Sequence, residues 1–384
     1  MLIDGHHLGY CTNVHPGESL DEIDTVLRQH VAEVKRRLSP DQPFGLGLRL
    51  GNTAAQGLDE DPAALARLAS TCDALGFYVF TVNGFPYGDF AADAVKAEVY
   101  APNWLHQERV AYTLRVARAL AALPGPTERT ISTVAGGFGP RTSGLAEHRQ
   151  IARHLAIAAE GLAEIADRTG VHITLCLEPE PWTTLERTDG VIRFFSDHVL
   201  PLSHADHLGL CYDCCHQAVY FEDPAESLRS LAAAGVKIGK IQVSSALHID
   251  TPRRPEARAA LQAFNEPRYL HQVVGKPHEG PLLRALDLPD VADPDTSWLD
   301  AEAWRCHFHV PIWWQGDGVL GTTRNDWMQA VKTAVAEGLC RHLEIETYSW
   351  GVIPESERQA LEGGDLHACV ASEFDALLKV LGAR

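Results

Sequence analysis

Residues able to hold a cation or move a proton interrupt otherwise apolar runs at five places in the chain. They are Glu178 in LCLEPEP, Asp213 and His216 in LGLCYDCCH, Gln242 in KIQVSS, His307 and His309 in CHFHVPIWW, and Glu346 in HLEIETYSW. Taken singly, each has a plain explanation: a carboxylate pairs with an arginine or caps a helix, and a lone histidine is a hydrogen-bonded structural residue. Taken as a set at one location, they crowd negative charge that a cation would neutralise. His307 and His309 alternate by two, so an extended segment projects both rings from one face. Asp213 and His216, in D-x-x-H, leave an apolar run and bend round in the following loop, within reach of one ion or two neighbouring ions. Oxygen and imidazole donors without thiolate suit Mg²⁺, Mn²⁺, Co²⁺ or catalytic Zn²⁺. Cys211, Cys214 and Cys215 flank Asp213, but no second CxxC completes a four-thiolate site. Glu180 and Glu344 share the parity of Glu178 and Glu346 and compete for the acid roles.

For these groups to meet, the elements carrying them must end at one place. Short apolar or alternating runs at Leu8–Val14, Phe44–Leu50, Tyr78–Asn83, Thr130–Val134, His172–Glu178, Leu208–Asp213, Lys240–Val243 and His342–Thr347 read as strands. Amphipathic segments separate them, with Ser19 and Glu22 as a capping box and Asp61, Pro62 and Gly76 bounding another helix. Further helices are expected over Gln107–Leu123, Leu145–Arg168, Pro224–Ala234 and Asn325–Glu337. Eight strands alternating with helices predict an α/β fold of the (β/α)8 TIM barrel type, whose active sites lie at the carboxyl ends of the strands. An open doubly wound sheet is the alternative, but no GxGxxG or GxxxxGK[ST] follows the first strand. The segment from His248 to Arg305 is rich in Pro, Arg and Asp, with weak helical stretches at Ala257–Phe264 and Tyr269–Val274; it is expected to form a long insertion or lid over the carboxyl-terminal face of a single domain spanning residues 1–384.

The order Glu178, Asp213-x-x-His216, Gln242, His307-x-His309, Glu346 resembles the ligand order of the xylose isomerase-like TIM barrels, the superfamily of sugar isomerases, epimerases and endonuclease IV. There the seventh strand usually offers His or Asp, and a D-x-D or D-x-H pair completes a second metal; here Gln242 and His307-x-His309 stand in those places. The stretches HLGYCTNVHPGES, FYVFTVNGFPYG, KIQVSSAL, HFHVPIW and LEIETYSW look more closely like the EboE family, the barrel member of a bacterial operon of metabolite traffic proteins. The resemblance implies one divalent metal among Glu178, Asp213, Gln242 and Glu346 and a second among Asp213, His216, His307 and His309. It also implies that Glu178 and Glu346 move a substrate proton, in a metal-dependent isomerase or epimerase of a sugar, sugar phosphate, cyclitol or related polyhydroxy metabolite. A cation that polarises a carbonyl beside a carboxylate base is chemically suited to enediolate proton transfer. Asn13, His15, Asn83, Trp182, His248 and Arg253 are expected around the substrate, with Arg253 and Arg254 as a phosphate clamp if the substrate is phosphorylated. A barrel that binds and passes on a metabolite without chemistry, or an endonuclease IV-like phosphodiesterase, are the competing readings.

Composition narrows these. The 384 residues are 45% hydrophobic and carry 33 Lys+Arg against 51 Asp+Glu, a formal charge of -18 that repels a phosphate backbone and argues against nucleic acid. Nine scattered cysteines, an amino terminus without a signal-peptide pattern, and no long apolar run predict a cytoplasmic protein that does not enter membranes. The superfamily resemblance is compatible with a homo-oligomer.

Overall fold

The computed structural model describes residues 1–90, 95–354 and 365–383. Eight parallel strands form its centre: β1 (His6–Tyr10), β2 (Phe44–Arg49), β3 (Phe77–Asn83), β4 (Glu128–Val134), β5 (His172–Glu178), β6 (Leu208–Asp213), β7 (Ile238–Val243) and, after an insertion, β13 (His342–Ile345). Pairing runs β1–β13–β7–β6–β5–β4–β3–β2, and a parallel bridge between Cys11 and Gly47 brings β2 back against the end of β1. The short strand Leu2–Ile3 pairs antiparallel with β1. This is the expected TIM barrel, with every strand in its place. The first strand stops at Tyr10 rather than Val14, because Thr12–Val14 turns into a 3-10 segment.

Local signals set the helices as the sequence leads one to expect. Ser19 and Glu22 form the reciprocal capping box. Asp61 caps a helix with Pro62 in its first turn, and Gly76 ends it with φ 68°, a left-handed conformation that glycine adopts without a Cβ penalty. Their apolar faces bury Val116, Leu120, Leu155, Leu162, Leu228 and Leu377 against the outside of the barrel. No helix among the described residues is long and apolar enough to cross a membrane.

The insertion differs from expectation. Rather than a loop, the chain between β7 and β13 folds five short strands, β8 (Leu247–Ile249), β9 (Val273–Lys276), β10 (Leu283–Ala285), β11 (Ala303–Cys306) and β12 (Gly321–Thr322), into an antiparallel sheet ordered β10–β9–β11–β8–β12. It has its own core, including Phe264, Trp304, Phe308 and Trp314. The stretch expected to be helical at Tyr269–Val274 instead enters β9, whose Val273 and Val274 are buried and pair with β10 and β11. The other helix is present, as Pro255–Gln262.

Period-two alternation turns every second strand residue into the barrel, where the side chains stack in layers. A lower layer joins Thr81, Thr130 and His342 by hydrogen bonds. The layer above holds a fully buried ion pair between Lys240 and Glu344. Gly47 makes room for it, since a Cβ there would overlap the Glu344 carboxyl group. Glu344 therefore belongs to the barrel interior and not to the acid role it competes for in the sequence. A buried charge left alone is far more costly than a missing pair. Lys240→Met should thus lower stability by about 3–5 kcal/mol in urea unfolding, and adding Glu344→Met should restore most of it. Equal stability of the single and double variants would remove the pair from this role.

Candidate metal centre and active site

The layer at the carboxyl ends of the strands is acidic. Glu178 is the last residue of β5, Asp213 the last of β6, and Glu346 follows β13 by one residue. One carboxylate oxygen from each lies within 4.8 Å of the other two. All three side chains are at most 4% exposed. Glu346 Oε1 accepts from Asn13 Nδ2 (2.8 Å) and Asn83 Nδ2 (3.0 Å). Asp213 Oδ1 accepts from the His216 backbone N–H (2.9 Å) and from Ser244 Oγ (2.8 Å). Glu178 Oε2 and Asp213 Oδ2 are buried without any hydrogen-bond partner. Burial first, and then the neighbouring Asp213, hold Glu178 well above the usual carboxylate range; burial, Glu178 and Asp213 do the same for Glu346. Lys240 in the layer below opposes both shifts, but its ammonium is committed to Glu344.

Beside the acids stand three imidazoles. Asp213 is the N-cap of the helix Cys214–Val219, so His216 sits in its first turn, not in a loop. His307 and His309 follow β11, and the His307 N–H is fixed by the Gln272 carbonyl (2.8 Å). Each ring meets a carbonyl oxygen at Nδ1: Pro179 O for His216 (3.2 Å), Gln272 Oε1 for His307 (2.7 Å) and Glu346 O for His309 (2.8 Å). The Gln272 amide is oriented by its Nε2, which donates to Pro181 O (3.3 Å) and Tyr100 Oη (3.3 Å). A carbonyl oxygen only accepts, so all three rings carry their proton on Nδ1 and offer the Nε2 lone pair. The Nε2 atoms of His216 and His307 face each other at 3.1 Å, and His309 Nε2 is buried with no partner. Burial keeps all three below the ordinary histidine range, and neighbouring imidazoles push His216 and His307 down further. Pinning Nδ1 to a carbonyl so that Nε2 points inward is how proteins prepare histidine for a metal.

The donor set fits a divalent cation. The orphaned oxygens of Glu178 and Asp213 and the orphaned nitrogen of His309 meet no hydrogen-bond donor among the described residues, and cation binding would satisfy them together. Asp213 lies within 4.8 Å of both groups, with Glu178 and Glu346 on one side and with His216 and His309 on the other. Gln242 is fully buried opposite Glu344, beneath the acids, its Oε1 accepting from Cys211 Sγ (3.1 Å) and its Nε2 unpartnered. The nine cysteines are buried and none is in a disulfide. Of these, Cys215, one of the three flanking Asp213 in sequence, comes within 4.8 Å of His307 and His309.

A cavity opens onto the site, lined by Asn13, Asn83, Glu178, Glu180, His216, His307 and Glu346 on its polar side. The lining also includes Lys96 and the apolar or aromatic residues Phe85, Phe90, Val99, Tyr100, Tyr269 and Tyr348. Glu180, named in the sequence only as a competitor, is a third acid of this cavity: Tyr100 Oη donates to its Oε1 at 2.5 Å, and burial pushes its carboxyl up to about 8. Asn13 and Asn83 line the cavity. The other expected substrate contacts lie elsewhere. His15 hydrogen-bonds Tyr10 Oη (3.0 Å) and stacks on His30. Trp182 lies beneath the Arg284 guanidinium (4.3 Å), and His248 is held in β8 between β11 and β12. Arg253 is 72% exposed in an ion pair with Asp300, and Arg254 pairs with Glu256, so neither serves as a phosphate clamp here.

Elemental analysis of the purified protein should find about one to two first-row ions per chain. Glu178→Gln is expected to lose the ion at the acids, and His307→Ala with His309→Ala to lose an ion without emptying the acid site. Retention of all metal by both variants would place the ions elsewhere.

Comparison with known proteins agrees with this fold. No curated protein matches the sequence. Three solved structures share the fold over almost their whole length. A D-tagatose 3-epimerase-like protein has 11% identity, covers 98% of this chain and 97% of its own, and has a TM-score of 0.52. A xylose isomerase-like TIM barrel protein from Mycobacterium smegmatis in complex with magnesium has 12% identity, 98% and 96% coverage, and a TM-score of 0.52. A D-allulose 3-epimerase from Methylomonas sp. has 10% identity, 99% and 100% coverage, and a TM-score of 0.51. The profile of the xylose isomerase-like TIM barrel family matches residues 46–287, more than half of the chain, and the protein belongs to that family.

Proposed function

We propose that the protein is a metal-dependent isomerase or epimerase that moves a proton at a carbon next to a carbonyl of an oxygen-rich small molecule. The observation that carries this reading is the convergence of Glu178, Asp213 and Glu346 within 4.8 Å, with Glu178 and Glu346 lining a cavity. Glu178, Asp213 and Glu346, with Gln242 beneath them, would hold one divalent cation; His216, His307 and His309, with Asp213 between the two groups, would hold a second. A cation bound there supplies an electrophile that polarises the carbonyl and stabilises the charge developing when the adjacent carbon loses its proton. The rest of the work falls to the chain. Glu178 and Glu346 stand on different strands, so a substrate carbon between them is reached from two sides, one acid accepting the proton and the other returning it. Asn13 and Asn83 fix Glu346 Oε1 and leave its other oxygen for the substrate. Glu180, hydrogen-bonded to Tyr100, is placed to accept or donate at a substrate hydroxyl. Membership of a family whose solved relatives include epimerases supports the reading.

Gln242 favours a second reading. A neutral amide where a charged or imidazole ligand would bind an ion more tightly suits a barrel that holds and passes on a metabolite, as the resemblance to the EboE proteins suggests. A phosphodiesterase is disfavoured by the charge of -18 and by the acidity of the cavity.

Incubation of the metal-loaded protein in D₂O with candidate ketoses, aldoses and cyclic ketols separates these. Deuterium should enter at the carbon next to the carbonyl, and Glu346→Gln should slow the exchange by about 10²–10⁴-fold while the protein stays folded. Binding of such compounds with no exchange in any of them would favour the carrier reading.

A further inference from the structure

The buried thiols of the barrel differ in what their sulfur meets. Cys176, Cys211, Cys306 and Cys340 direct Sγ to an oxygen acceptor, at 3.5, 3.1, 4.0 and 3.4 Å. Cys215 is fully buried, and its Sγ makes no hydrogen bond among the described residues. That sulfur lies within 4.8 Å of one ring nitrogen of His307 and one of His309, and the two nitrogens are within the same distance of each other.

The surrounding structure fixes all three donors. Cys215 is in the first turn of the helix Cys214–Val219, and its N–H donates to Ser244 Oγ (2.8 Å), the hydroxyl that also donates to Asp213 Oδ1 (2.8 Å). One serine after β7 therefore holds both the acid of the oxygen layer and the backbone of the thiol. From the other side His307 and His309 arrive on the insertion with Nδ1 engaged by a carbonyl oxygen, and His309, 1% exposed, keeps its Nε2 unpartnered. A thiol beside two neutral imidazoles, one of them with a bare buried nitrogen, is a donor set for a borderline-soft metal ion. His216, whose Nε2 is 3.1 Å from that of His307, is the neighbouring fourth donor.

We infer that Cys215, His307 and His309 form a soft-donor cation site, selective for Zn²⁺ or Co²⁺ over Mg²⁺ and Mn²⁺, beside the oxygen-donor site of Glu178, Asp213 and Glu346, so that the centre takes two different metals. This rests on the reading of the imidazoles as a cation site and adds the sulfur that sets the identity of the ion. On binding, the Sγ–H bond breaks, its electron pair forms the sulfur–metal bond and its proton leaves to the buffer. Burial alone holds that proton on the sulfur well above the ordinary thiol range, and a coordinating ion removes it.

The test is the absorbance of metal-free, full-length protein titrated with Co²⁺. A near-ultraviolet sulfur-to-cobalt charge-transfer band should grow until about one ion per chain is bound and then stop. About one equivalent of Zn²⁺ should abolish it, and about a hundredfold excess of Mn²⁺ should leave most of it. Cys215→Ser, and His307→Ala combined with His309→Ala, should each lose the band, whereas Cys214→Ser and Glu178→Gln should keep it. If Cys215→Ser fails to fold, zinc K-edge absorption of the Zn²⁺-loaded wild type and Cys214→Ser decides, with one sulfur expected at about 2.3 Å from the ion. Co²⁺ bound without the band, a band that survives Cys215→Ser, or zinc without a sulfur neighbour overturns the inference and leaves the imidazoles as a nitrogen site. Equal Co²⁺ binding by the wild type and the double histidine variant overturns the inference and the second-cation reading together. The isomerase reading is judged separately by deuterium exchange, so it can fail while the sulfur band stands.

Discussion

Three carboxylates that a closed parallel barrel brings within 4.8 Å of one another, away from water, set the terms for everything around them. Parallel strands all end on the same face, so Glu178, Asp213 and Glu346 have no freedom to separate once β5, β6 and β13 are paired into the barrel. The protein offers them little relief of its own. Lys240 is one layer down and spends its charge on Glu344, Asn13 and Asn83 donate to a single oxygen of Glu346, and oxygens of Glu178 and Asp213 are left bare. Such a cluster either keeps protons or takes a cation. The fold that positions it is stable for other reasons, chiefly the apolar layers between barrel and helices, which is how a locally unfavourable arrangement persists.

The insertion completes this centre. Its five-stranded sheet delivers His307, His309 and Gln272 to the mouth of the barrel, and a backbone or side-chain carbonyl meets each imidazole at Nδ1. The sheet has a core of its own, and these rings are carried on it. The same segment supplies Tyr269 and Leu270 to the lining of the cavity.

Much of this was legible in the sequence because a buried parallel strand reads as an apolar run, and a ligand-type residue at its end stands out. Glu178 and Asp213 end their strands in just that way, and the period-two spacing of His307 and His309 was enough to place both at the site. The choice between Glu344 and Glu346 was not legible: they share parity, and only the pairing of β13 with β7 shows that the first lies a layer lower. The insertion was opaque because strands of two to four residues carry too few alternations to register, and Val273–Lys276 could equally begin a helix. His15, Trp182, His248 and Arg253 were judged by residue type on segments near the site, and tertiary packing gave them other partners. Tyr100 and Tyr348 lie in or beside irregular segments with no periodic signal, and Tyr269 and Gln272 fall in a stretch read as a weak helix, so no ligand-type residue at a strand end announced them.

The central claim is that the carboxylate cluster holds protons until a cation replaces them. Titrating Mn²⁺ into metal-free protein near neutral pH, in buffers of different ionisation enthalpy, counts the protons released on binding. The account predicts about one or more protons released per ion at the acid site, and none when Glu178→Gln and Glu346→Gln are combined. Binding of Mn²⁺ to the wild type with no proton release, or no binding at all, would contradict it.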